Sequence, residues 1–356
     1  MTEPATRETI NIAMISVGGP WFEDFVKGAV LPTPPSVTLT DGHAALHQAV
    51  FGDRLRLPLD RTLSEDVTGE ARALVHPMLA TNIAIGMSTW ATQRVKANLF
   101  YRGLVLKKPV FVGDTLSTTT RAVALRQNQP KPGRAATGLV VLEITTVNQR
   151  GETVLNFWRC PMIACRDANA HTSHADNLDA IPATIPEDAI DAVVPTWKLD
   201  RFRARVSGNH FSSLKAGTTY LVEGRDSVTS APEMARMTLN LAATHFDASA
   251  SVYGERLIFG GHTIGLAAAA ALRALPEMVT ILAWRSCDHL APAFEGDMLE
   301  TRIEVTGLRP LKNGGGLADV RAVVTAEHGT AGQSALNITP GTKKDVLDWR
   351  FVALFA

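Results

Sequence analysis

The chain has 356 residues, 46% of them hydrophobic, and its 35 Lys and Arg balance 35 Asp and Glu. At roughly 100–200 residues per domain this length predicts about two domains, each able to bury its own core. The lack of net charge removes a general attraction to nucleic acid or to an anionic membrane surface. Three cysteines, Cys160, Cys165 and Cys287, with no Cys-x-x-Cys pair and no zinc-ligand spacing, argue for reduced thiols and against a disulfide framework or a metal site. Met1 to Ile10 is polar and mixed in charge, without a signal-peptide pattern, and no apolar run reaches the ~18–20 residues of a membrane span. A cytoplasmic location is therefore expected.

In chain order, Pro77 suits the first position of a helix, and Met78 to Gln93 has the small and apolar composition of a buried one. Thr115 to Leu125 and Thr137 to Val147 alternate or enrich β-branched residues and predict strands. Arg166 to Asp200 is rich in Ala, Asp and Pro, shows no hydrophobic period, and reads as a linker in which Pro182, Pro186 and Pro195 favour extended backbone. His262 to Arg273 is Ala- and Leu-rich on nearly every face, so it should be enclosed; Leu299 to Leu308 and Ala318 to Ala326 predict further strands. The expected units are thus 1–165, a linker 166–200, and 201–356.

The halves repeat one another. Leu74-Val75-His76-Pro77 opens the first helix and Ile258-Phe259-Gly260-Gly261-His262 the second. Pro109-Val110-Phe111-Val112-Gly113-Asp114-Thr115-Leu116 matches Pro292-Ala293-Phe294-Glu295-Gly296-Asp297-Met298-Leu299, and Val154 to Arg159 matches Val346 to Arg350. Matches in the same order at a nearly constant offset predict a duplicated unit. That unit is one buried helix wrapped by a curved antiparallel sheet, an α+β fold.

A buried helix preceded by a His/Gly turn and followed by Phe-x-Gly-Asp-x-Leu resembles the hot-dog fold of the MaoC-like (R)-specific enoyl-CoA hydratases, and the duplication resembles their double hot-dog form. Arg256 to Leu266 and Leu125-Arg126-Gln127-Asn128 are similar to the mesaconyl-CoA (2-methylfumaryl-CoA) hydratase branch. The resemblance covers about 22–166 and 218–351. It implies a hydro-lyase acting on an acyl-CoA thioester, with no cofactor beyond the CoA of the substrate and no metal.

The family motif Gly-Asp-x-Asn-Pro-x-His-x-Asp aligns with Asn240 to Asp247, where His245 and Asp247 match but the first Asp is Asn240 and the Asn-Pro pair is absent. In the first half, Gly52 to Asp60 keeps Asp53, but Pro58 stands at the His position. The second half is therefore expected to be catalytic, with His245 as general base because imidazole titrates near neutrality. Asn240 can orient water but cannot exchange a proton as a carboxylate does. The second proton transfer falls to His245 itself, to Asp247, or more weakly to Asp53. Asn240 and His245 converge only if the helix ends between them.

Gly261, and less strongly His262, could offer helix-start N–H groups to a thioester oxygen. Arg256 could hold a substrate carboxylate through its guanidinium fork. Arg94, Lys96, Arg102, Lys107 and Lys108 form a basic cluster suited to CoA phosphates. Asp288 and His289 should face opposite sides of a strand, which makes them poor partners and favours a structural role. Asn313 to Gly316 reads as a tight turn without the Lys and helix of a phosphate loop, and His171 and His174 as solvated linker residues. Two other activities fit the same pattern: a hot-dog thioesterase, and a non-catalytic acyl-CoA-binding subunit suggested by the broken motif. Hot-dog sheet edges commonly pair, so a homodimer is also expected.

Overall fold

The structure, a computed structural model, describes residues 15, 17–312, 314–329 and 341–356. Met1 to Ile10 and Asn313 of the predicted glycine turn lie outside the described residues. The strands are β1 (Val37–Thr38), β2 (Val95–Leu106), β3 (Thr115–Gln127), β4 (Thr137–Val147), β5 (Thr153–Ala164), β6 (Thr219–Leu221), β7 (Asp226–Ser227), β8 (Met278–His289), β9 (Met298–Pro310), β10 (Gly316–Glu327) and β11 (Lys343–Phe355). The α-helices are α1 (Asp41–Phe51), α2 (Arg56–Leu59), α3 (Arg61–Thr68), α4 (Pro77–Met87), α5 (Glu187–Asp191), α6 (Leu199–Arg205), α7 (Ala231–Met237) and α8 (Gly260–Ala274).

Each half folds four long antiparallel strands around one helix. The order β3-β4-β5-β2 in the first half meets β8-β11-β10-β9 in the second, so both belong to one open eleven-stranded sheet. The join is β2 against β8, in register at Val105 and Ala283. This is the double hot-dog arrangement. The helices α4 and α8 are apolar nearly all round because both lie inside the curve of the sheet. They meet where the Asn82 side-chain amide of α4 donates to the Gly261 carbonyl of α8 at 3.3 Å.

The repeated Gly-Asp segment has a structural cause in both halves. Phe111 N–H donates to Asp114 Oδ2 at 2.9 Å and Phe294 N–H to Asp297 Oδ2 at 2.8 Å, so each carboxylate closes the turn that starts its strand. The turn needs positive φ, +97° at Gly113 and +93° at Gly296, which glycine adopts without a Cβ clash. Leu74 bridges to Phe111 and Leu257 to Phe294 in the same way.

The terminal repeat differs in register from its sequence match. Leu155 and Leu347 are both buried, and from them burial alternates through Phe157 and Arg159 in β5 but through Trp349 and Phe351 in β11. Since side chains on a strand alternate faces, Arg159 is the counterpart of Phe351, and Trp158 that of Arg350. An inward position that is apolar in one half carries a guanidinium in the other.

Residues 166–200, expected as a linker, hold short helical turns and contribute buried Leu178, Ile185, Ile190 and Leu199. Ile185, Ile190 and Leu199 pack with Val105, Leu282, Val352 and Leu354 on the sheet face opposite α4 and α8. The segment thus covers the face that would otherwise leave the join between the halves exposed. No helix among the described residues is long and apolar enough to cross a membrane.

Candidate active site

The loop between α7 and α8 is bent by local hydrogen bonds. Helix α7 ends at Met237, Leu239 takes φ +58°, and the Asn240 side-chain oxygen accepts the Ala242 N–H at 2.9 Å. This Asx turn supplies the break that Asn-Pro would give, and a short 3₁₀ turn at Ala243–His245 follows. The first half fastens the loop, since Leu241 N–H donates to Thr89 Oγ1 at 2.9 Å.

His245 is 8% exposed, and its Nδ1 lies 2.8 Å from the Leu257 carbonyl oxygen. A carbonyl only accepts, so Nδ1 carries the hydrogen and Nε2 keeps the lone pair. Burial pulls the imidazole pKa down to about 4, partly opposed by the Leu257 bond, so the ring is a neutral base at ordinary pH.

Helix α8 starts without a side-chain cap. His262 N–H is taken by the Phe259 carbonyl at 2.8 Å, whereas the N–H groups of Gly260 and Gly261 have no partner among the described residues. Gly260 lies beside His289: a Cβ there would stand 2.7 Å from His289 Nε2, so only glycine permits the approach. His262 is 1% exposed, neither ring nitrogen has a hydrogen-bond partner among the described residues, and burial lowers its pKa to about 4. It packs on Phe51 rather than capping the helix.

A cavity of about 540 Å³ connects these groups, with Asn240, His245, Gly260, Thr263 and His289 on its wall. Gly261 and His262 lie behind that wall. The first half supplies Tyr101 and Arg159, with Arg94 and Lys96 also lining the cavity. Of the basic cluster, Arg102 instead donates to the Leu178 and Ile181 carbonyls, and Lys108 sits 3.9 Å from Glu152.

Three further expected residues stand apart from the cavity. Asp247 is exposed, and its carboxylate accepts the Ser249 N–H at 2.9 Å and hydroxyl at 2.8 Å, which holds its pKa below the usual range. It caps a turn and does not line the cavity. Arg256 is paired with Glu295 and donates to the Phe246 carbonyl, so its fork is already engaged within the protein. Asp53 lies 2.9 Å from His76 in the first half. Burial pushes its carboxyl up, but His76 and the Leu55 N–H outweigh this and hold it low.

Of the residues lining the cavity, sequence reasoning passed over Tyr101 and Arg159 and gave His289 a structural role. His289 has its Nε2 buried without a partner, and burial lowers its pKa to about 4. Strand alternation carried the signal: Cys287 is buried, Asp288 exposed, and His289 again faces inward.

Two hot-dog halves sharing one sheet, each curved around one central helix, define a double hot-dog protein. The chain belongs to the MaoC-like double hot-dog hydratases and dehydratases, a family of hydro-lyases. It is 31% identical over 331 residues to a beta-methylmalyl-CoA dehydratase of Chloroflexus aurantiacus, covering 87% of this chain and 89% of that one. It is 28% identical over 323 residues to a mesaconyl-CoA hydratase of Cereibacter sphaeroides, covering 88% and 90%. Among solved structures, a conserved hypothetical double hotdog protein of Mycobacterium tuberculosis superposes with a TM-score of 0.85 at 44% identity, covering 96% of this chain and 100% of that one. A MaoC domain protein of Chloroflexus aurantiacus assigned as a dehydratase gives 0.83 at 26% identity, covering 96% and 99%. No family model matches the chain.

Proposed function

We propose that the protein catalyses reversible hydration of a 2-enoyl-CoA to a 3-hydroxyacyl-CoA, and that the acyl group is a branched C4 dicarboxylate such as 2-methylfumaryl (mesaconyl). The observation that carries the reading is the His245 tautomer: Nδ1–H is held by the Leu257 carbonyl, leaving a basic Nε2 beside the start of α8. The substrate class is supported by the activities named for the two relatives.

In the hydration direction, His245 Nε2 takes a proton from water as the water oxygen bonds to the β-carbon. The double-bond electron pair moves towards the thioester carbonyl and forms an enolate. The N–H group of Gly260, on the cavity wall, stabilises its oxygen, helped by the positive end of α8. The imidazolium then returns the proton to the α-carbon, and the carbonyl reforms. With Asp247 and Asp53 directed elsewhere, His245 serves both transfers, and the Asn240 amide nitrogen orients the water. Arg94 and Lys96 supply positive charge for the CoA phosphates, and the first half acts as a wall without chemistry of its own.

A panel of crotonyl-CoA, longer enoyl-CoAs and 2-methylfumaryl-CoA, followed by mass spectrometry, tests the reading. Gain of one water supports it; release of free CoA thiol would identify a thioesterase, and binding without turnover a non-catalytic subunit.

A further inference from the structure

Arg159 is 6% exposed on β5 and lines the cavity. Its Nη2 donates to the Ser88 carbonyl at 3.2 Å and to Thr92 Oγ1 at 3.1 Å. Its buried Nε has no partner, and among the described residues no carboxylate lies within ion-pair distance of the guanidinium. Tyr101, its registered neighbour on β2, places a hydroxyl beside it. The counterpart of this strand position in the second half holds the buried Phe351. A charge without a counter-ion is costly to bury, and the bonds to Ser88 at the end of α4 and to Thr92 in the turn beyond it satisfy only part of the guanidinium.

We infer that Arg159, backed by Tyr101, anchors the carboxylate of the acyl group and so selects dicarboxylyl over monocarboxylyl thioesters. The inference rests on the reading of the cavity as an acyl-CoA site. It replaces Arg256, whose fork is held by Glu295, with a guanidinium already inside the cavity. A carboxylate in the cavity would provide the counter-ion that the guanidinium lacks. The two halves then divide the work: the second supplies the proton-transfer group, and the first recognises the far end of the acyl chain.

Saturated thioesters test recognition apart from turnover. Calorimetric titration should show that the wild-type protein binds 2-methylsuccinyl-CoA at least about 30-fold more tightly than 2-methylbutyryl-CoA, which has a methyl in place of the carboxylate. Arg159→Met should remove most of this preference and Arg159→Lys only part of it. The lysine variant keeps a charge at the position and provides the test if the methionine variant does not fold. A wild-type preference near unity, or equal weakening of both ligands in the variants, overturns the assignment and points to a CoA-phosphate or purely structural role. Failure of the wild type to add water to 2-methylfumaryl-CoA, with the binding preference intact, would instead reject the hydratase reading alone.

Discussion

His245 Nδ1 lies 2.8 Å from the carbonyl oxygen of Leu257, two residues before the N-cap of α8. The bond ties the orientation of the imidazole to the segment that starts the helix, so the ring and the Gly260 N–H are positioned together. Replacing His245 with Ala should lower kcat/KM for hydration by about 10³-fold, the usual range for a lost general base, with the circular dichroism spectrum unchanged. Wild-type rates in that variant would contradict the assignment.

The acid limb of the rate profile follows from the same burial. The base must be neutral, and its pKa is lowered to about 4. Activity should therefore hold as pH falls through 6.5 and be lost only as it approaches about 4. Stopped-assay kcat/KM values between pH 8 and pH 4.5 check this; an inflection near 6.5 would show a histidine exposed to water.

Asn240→Asp should fold and retain or gain activity. One carboxylate oxygen can accept the Ala242 N–H as the amide oxygen does now, and the other gives the site the carboxylate its motif lacks. A loss as large as that of His245→Ala would show that the amide nitrogen itself is required.

Gly86 in α4 backs directly onto Thr238, where the segment carrying Asn240 and His245 begins. A Cβ there would lie far inside van der Waals contact distance of the Thr238 carbonyl oxygen, which is backbone and cannot swing away. Gly86→Ala should destabilise the fold by about 1–3 kcal/mol despite the better helix propensity of Ala. It should also lower kcat more than 10-fold as the Asn240–His245 loop shifts. Thermal unfolding and steady-state kinetics on one preparation separate the two effects.

Stability should fall on mild acidification. Burial lowers the pKa of His47 to about 3 and those of His245 and His262 to about 4, so these residues fold in the neutral form. Between about pH 6.5 and pH 4 the unfolded chain binds more protons than the native state, and stability declines as pH falls through that window. At pH 5 the loss is on the order of 2 kcal/mol per histidine. Tm should drop by several degrees from pH 7.5 to pH 5; a flat or rising Tm would contradict the neutral burial of these rings.

Much of this was legible in the sequence. The paired Gly-Asp turns and the two all-apolar helices announce a duplicated unit because turn chemistry and burial leave local marks. The motif singled out His245, which lines the cavity. Arg256 and Asp247 looked available because their partners, Glu295 and the Ser249 turn, are visible only once the loop is folded. Arg159 was hidden by its Trp-Arg match to Arg350, which lies one residue out of structural register and therefore on the opposite face. His289 was set aside by asking whether it could pair with Asp288, when the informative question was which face of β8 it shares with Cys287.

The most direct test of the account is incubation of the wild-type protein and His245→Ala with 2-methylfumaryl-CoA, read by mass spectrometry. The account predicts one added water in the wild-type product and almost none with the variant. An unhydrated thioester with the wild type, or equal hydration by both proteins, would contradict it.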